Sequence, residues 1–156
     1  MDLDQADKLN ELIRAVGLRH RTLCIEALEP FGIHPGHKLL LFELERAGPR
    51  TLTELSVACG YEPPTITISI RQLESLGLVE RRPSQTDKRV TIVELTERGT
   101  ELLAKVKAAW HDVAELTLAG LGRTSFKQLQ TVLTDLAASL AATDQPTRYL
   151  HPPPPR

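Results

Sequence analysis

The chain has 156 residues, of which 41% are hydrophobic and 25% charged, and its 19 Lys and Arg against 20 Asp and Glu leave a formal charge of −1. That size suits one globular domain or a small two-part subunit, and the balance excludes binding nucleic acid by bulk positive charge, so any such binding must come from local clustering. No stretch approaches the roughly 18 consecutive apolar residues of a membrane span, and the acidic start Met1-Asp2-Leu3-Asp4 is the reverse of a secretory leader; the expected compartment is the cytoplasm.

From Asp4 to Glu29 the residues Leu9, Leu12, Ile13, Val16, Leu23, Ala27 and Leu28 recur at intervals of three and four, predicting one long helix that ends at Pro30. Phe31 to Gly36 reads as a turn. Pro35 then opens a second helix carrying Leu39, Leu40, Phe42, Leu44 and Ala47, and Gly48-Pro49 stops it. Thr51-Leu52-Thr53-Glu54 is a capping box for a short third helix that closes at Gly60. Pro63-Pro64 opens a fourth helix running to about Leu76, with Gly77 as its stop. Two short helices joined by a tight turn make a helix-turn-helix.

Within the fourth helix, Thr65-Ile66-Thr67-Ile68-Ser69-Ile70 alternates as a strand would. The longer window decides for helix: Ile66, Ile70, Leu73 and Leu76 form a continuous helical stripe, and the proline pair suits a helix start better than a paired strand. Ile68 is left facing outward.

Leu78 to Arg82 and Val90 to Leu95 are β-rich segments around a polar loop with Pro83 and Asp87, predicting an antiparallel hairpin. Arg81 to Arg89 holds four basic residues (81, 82, 88, 89) and one acid (87), a surplus of three. A long helix follows from near Thr96 through Leu102, Leu103, Val106, Ala109, Trp110, Val113 and Leu116, and Gly120-Leu121-Gly122 breaks it. Ser125-Phe126-Lys127-Gln128 gives a second capping box, opening a last helix with Leu129, Val132, Leu133, Leu136 and Leu140. Thr143 to Arg156 is Pro-rich and expected to be disordered or polyproline II, with a PxxP spacing as a docking alternative.

The order of elements and two motifs resemble the MarR-type regulators, the multiple-antibiotic-resistance repressor family. One motif is Asp87-Lys88-Arg89 followed by an apolar strand and Leu95-Thr96-Glu97-Arg98-Gly99; the other is Leu73-Glu74-Ser75-Leu76-Gly77-Leu78-Val79-Glu80-Arg81 before it. The resemblance covers about Leu9 to Leu140. It implies a mainly α fold with a small two-stranded β wing, a winged helix-turn-helix over 35–96 and a helical dimerisation region from 1–34 and 97–142, and leaves the Pro-rich tail over 143–156 outside it. The function implied is that of a ligand-responsive repressor binding a palindromic operator as a homodimer joined through its first and last helices. Apolar side chains on the terminal helices that a small helix-turn-helix and hairpin cannot cover point independently to a partner subunit.

A fourth helix in the major groove would present Thr65, Thr67, Ile68, Arg71 and Gln72. Arg71 would reach guanine or phosphate and Gln72 would pair with adenine. Ile68 departs from the family, where a basic or polar residue is common. By resemblance Arg89 would enter the minor groove while Asp87 holds that arginine or a neighbouring basic group, and Arg81, Arg82 and Lys88 would contact phosphates. Family members commonly respond to small aromatic or phenolic anions, for which His20, Cys24, His37, Trp110 and His111 are the candidate lining groups; some sense oxidants through a cysteine of the first helix, which singles out Cys24 for test. Read from the residues alone, Cys24 and Cys59 are small buried hydrophobes.

No metal site is expected: His34 and His37 have a chelating i, i+3 spacing, but a Pro-Gly turn lies between them and no third ligand is evident. Nor is an enzyme expected, since there is no phosphate-binding Walker loop and no G-x-S-x-G, and Gly120-Leu121-Gly122 follows a helix where a dinucleotide fold needs a strand. The competing reading is a winged-helix module that binds protein and has lost DNA binding, suggested by the near-neutral charge and Ile68.

Overall fold

The computed structural model describes residues 1–121 and 126–142, in two compact units that divide between Thr117 and Leu118. The first unit begins with α1 (Leu3–Leu28), whose start is fixed by a capping box between Asp2 and Gln5, and a single 3-10 turn, Glu29–Phe31, follows it. Then come α2 (Pro35–Ala47), β1 (Arg50–Thr51), α3 (Leu52–Cys59), α4 (Pro63–Ser75), β2 (Val79–Pro83), β3 (Thr91–Leu95) and α5 (Glu97–Leu118). Among the described residues no helix is long and apolar enough to cross a membrane.

The hairpin is present, in register from Val79 opposite Leu95 to Pro83 opposite Thr91. A third, two-residue strand was not expected: Arg50 and Thr51 pair antiparallel with Val93 and Ile92, giving the order β1-β3-β2. No pattern of alternation exists in two residues, and Thr51 is at the same time the N-cap of α3, accepting from the Glu54 backbone N–H at 3.1 Å. One residue therefore ends the sheet and starts the helix.

Residues 65 to 70 are helical, as the longer apolar stripe demanded, with Ile66, Ile70 and Leu73 fully buried and Ile68 56% exposed. They pack in one core with Leu28, Leu40, Leu41, Leu44, Leu55, Val79, Val93, Leu103 and Val106; a fully buried aliphatic side chain of this size contributes about 1.5–3 kcal/mol. The buried face of α2 is His37, Leu40, Leu41 and Leu44, so Leu39, expected among its apolar members, turns outward. Gly77, at φ 70°, follows α4 in the left-handed region and turns the chain into the hairpin.

Thr96 joins hairpin to α5. Its hydroxyl donates to the Gly77 carbonyl at 2.7 Å and accepts from the Gly99 N–H at 3.0 Å.

Along α1 only Cys24 and Leu28 are buried; Leu9, Leu12, Ile13 and Val16 are 42% to 63% exposed. The second unit contains α6 (Phe126–Ala142), which has no buried residue and exposes Phe126, Val132, Leu133, Leu136 and Leu140. The capping box placed at Ser125, the last glycine of Gly120-Leu121-Gly122 and the tail over 143–156 lie outside the described residues.

Candidate nucleic-acid interface

The proline pair and the buried stripe of α4 fix which of its side chains face solvent. Thr65, Ile68, Arg71 and Gln72 are exposed, and Thr67 is half-buried with its hydroxyl donating to the Pro63 carbonyl at 3.0 Å. Arg71 makes no ion pair among the described residues. Gln72 differs from expectation: its Oε1 lies 2.9 Å from Nε2 of His37 on α2. Both ends of its amide are therefore not equally free to pair with adenine, and His37, expected to line an effector site, is instead turned to α4.

The hairpin sorts its basic residues into two classes. Arg81 pairs with Glu74, its Nε 2.8 Å from Oε2, and Arg82 pairs with Glu94 through two nitrogens at 2.5 and 3.1 Å. These carboxylates hold both guanidinium groups above the ordinary arginine value, by hydrogen bonding first and charge second. The same contact holds the Glu94 carboxyl below its usual range. Arg81 and Arg82, both expected as phosphate contacts, are thus compensated cations, each already facing a carboxylate. For Arg82 the reason is the β register, which sets Glu80 and Glu94 opposite each other on the face that Arg82 shares, a pattern invisible while the strands are read separately; Arg81 reaches back to Glu74 on α4.

At the tip, Lys88 and Arg89 are exposed and make no ion pair among the described residues. Asp87 does not hold the Arg89 guanidinium. Its Oδ1 accepts from the Arg89 backbone N–H at 2.9 Å, while its carbonyl accepts from Val90 N–H at 2.9 Å and Ser84 N–H donates to the Val90 carbonyl at 2.8 Å. Aspartate in this position shapes the turn from which Arg89 projects.

The candidate effector residues do not all come together. Cys24 is buried, with its Sγ 3.7 Å from the His20 ring. Burial raises its pKa, partly offset by the charge of Lys38, the opposite of the stabilised thiolate that a redox sensor needs. Cys59, half-buried, is likewise raised by burial. Trp110 meets Lys38, whose Nζ sits 3.8 Å from the indole ring and 4.7 Å from that of Phe42. Burial pushes the Lys38 amine down. His111 stands apart, exposed and near Asp112 and Glu115 of its own helix. Sequence reasoning missed Lys38; its one signal was the i, i+4 spacing to Phe42 on α2. His34 is the N-cap of α2, its Nδ1 accepting from the Gly36 and His37 N–H groups, so that nitrogen serves the helix start.

A protein-family model described as the MarR family matches residues 31–90. The uncharacterised HTH-type transcriptional regulator YhbI of Bacillus subtilis is 28% identical over 138 residues, 86% of this chain and 84% of that protein. Among solved structures, a mutant of MarR from E. coli complexed with operator DNA superposes with a TM-score of 0.74 at 25% identity, covering 90% of this chain and 99% of that one. BpsR of Bordetella bronchiseptica, whose DNA binding is regulated by 6-hydroxynicotinic acid, has a TM-score of 0.73 at 18% identity, covering 86% and 94%, and adds evidence on the fold alone. The wing motif, the buried stripe of α4 and the hairpin register agree with these likenesses, and residues 31–90 are the part of the chain that is similar to the MarR family.

Proposed function

We propose that the protein is a transcriptional regulator, not an enzyme, that binds a palindromic operator as a homodimer and is released by a small aromatic acid. The observation that carries the DNA reading is the pairing of an exposed α4 face, with Thr65, Ile68 and Arg71, and a hairpin tip whose cations Lys88 and Arg89 are uncompensated. Arg71 is the base or phosphate contact of the major groove, Ile68 packs on a thymine methyl, and Arg89 enters the minor groove, where narrow A·T-rich segments concentrate negative potential. The E. coli MarR crystallised on its operator supports this assignment.

The exposed apolar residues of α1, Leu9, Leu12, Ile13 and Val16, support the dimer, because contiguous apolar surface of this kind is normally covered by a partner. Twofold symmetry then calls for half-sites separated by about one helical turn, roughly 10 bp. For the effector, the support is Lys38: a partly buried cation held by two aromatic rings, with no carboxylate partner among the described residues, suits the carboxylate of an aromatic ligand stacked near Trp110. His20 and Cys24 would lie at the edge of that site.

Gel-shift titration of the full chain against its own upstream DNA tests the reading. Saturable binding to a palindrome that weakens steeply with salt is the expected result. Absence of binding at low salt would favour the protein-interaction module.

A further inference from the structure

His37 is 4% exposed, in the first turn of α2, with its ring stacked on that of His34 at 3.5 Å between centroids and 29° between planes. Its Nε2 lies 2.9 Å from the Gln72 Oε1 across 35 residues of sequence, and its Nδ1 is buried with no hydrogen-bond partner among the described residues. The proton's location follows from these surroundings. A neutral imidazole carries one N–H. With that proton on Nε2, His37 donates to Gln72 and the unfilled group is a lone pair; on Nδ1 it would be a buried donor with nothing to accept it, the rarer and costlier arrangement.

We infer that His37 is a positioning residue for DNA reading: by donating to Oε1, it fixes the Gln72 amide so that the NH2 end is the one presented on the exposed face of α4. A glutamine that pairs with adenine uses both amide ends, giving a hydrogen bond to N7 and taking one from N6. With Oε1 engaged and the amide plane held, Gln72 becomes a directed donor, which favours acceptor edges, guanine O6 and N7 or thymine O4, over the mixed edge of adenine. Freed from His37, the same side chain can rotate and its preference relaxes. The inference rests on the DNA reading above and concerns a residue buried beneath the contact surface.

The test is selection from a randomised palindromic DNA library with the full-length protein. His37→Phe keeps the ring and removes the donor, Gln72→Leu removes the reader, and His37→Gln restores an N–H near the imidazole Nε2. Expected is a loss of preference by about tenfold at one base pair per half-site in both H37F and Q72L, with the wild-type profile largely recovered in H37Q. A folded H37F with the wild-type profile, or one that weakens all sequences equally, overturns the inference while leaving the DNA reading intact. A wild-type chain that selects no sequence sinks both. Should H37F not fold, long-range proton–nitrogen spectra of the wild-type ring decide: a proton on Nε2 whose shift moves in Q72L supports the inference, and a proton on Nδ1 overturns it.

Discussion

Gly99 in the first turn of α5 lies against the backbone of Leu78 so closely that a Cβ on it would sit 2.0 Å from the Leu78 carbonyl oxygen. Thr96 N–H donates to that same carbonyl at 3.2 Å, and the Thr96 hydroxyl ties Gly77 to Gly99. The Leu-Thr-x-x-Gly pattern is therefore the joint between hairpin and helix: threonine supplies the hydrogen bonds, and glycine supplies the absence of a side chain. Gly99→Ala must push the helix off the strand and should destabilise the protein by about 3 kcal/mol. Urea unfolding reads this, with the exposed Gly120→Ala, whose Cβ meets nothing within 4 Å among the described residues, as the small-effect control.

The two classes of arginine in the hairpin predict different salt behaviour. Arg89→Ala should weaken operator binding and lower the slope of log affinity against log salt by about one unit. Arg82→Ala removes a charge already balanced by Glu94 and should change the slope less. Equal effects would mean that DNA draws Arg82 away from its carboxylate.

His34 and His37 are both held below the ordinary histidine value of 6.5, His34 by burial and His37 by burial first and the neighbouring His34 second, against the opposing hydrogen bond to Gln72. The folded chain thus binds fewer protons than the unfolded one in the window between the lowered values and 6.5, so stability rises with pH across that window. Melting temperature should fall as pH drops below about 6.5, and His37→Phe should flatten the dependence. A wild-type melting profile level from pH 7.5 down to 5 would contradict this.

Leu12→Glu with Val16→Glu places charge on the exposed stripe of α1. Neither side chain is in the core, so helicity should survive while the dimer dissociates, and DNA affinity should fall with it. Sedimentation velocity distinguishes the species, and a double variant that remains dimeric would move the interface elsewhere.

Trp110 is the single tryptophan of the chain and lies against Lys38, so an aromatic acid bound there should quench its fluorescence. Lys38→Met preserves much of the packing on the rings while deleting the charge. Affinity for an aromatic carboxylate should drop about tenfold or more, whereas a neutral aromatic analogue should be little affected. Unchanged carboxylate binding would exclude Lys38 as the counter-ion.

Much of the fold was legible in the order of residues. Proline pairs, capping boxes and glycines punctuate the chain at Pro35, Thr51, Gly60, Pro63 and Gly77, and each acts within a few residues of itself. The ambiguous stretch from Thr65 to Ile70 was resolved by extending the window to Leu73 and Leu76, because helical periodicity is a local property too. The exposed face of α4 and the cluster of basic residues around the hairpin followed from the same kind of pattern.

What only the tertiary structure decided are relationships between groups far apart in sequence. The hairpin register turned Arg82 into the partner of Glu94, the approach of α2 to α4 brought His37 to Gln72, and the packing of α5 set Trp110 over Lys38. Residue type and spacing set what a segment can do alone; they do not say which charge or amide it will meet. A hydrogen bond or ion pair depends on distances of a few ångströms between elements, and those are fixed only when the shared core of Leu40, Ile66, Leu73 and Leu103 closes.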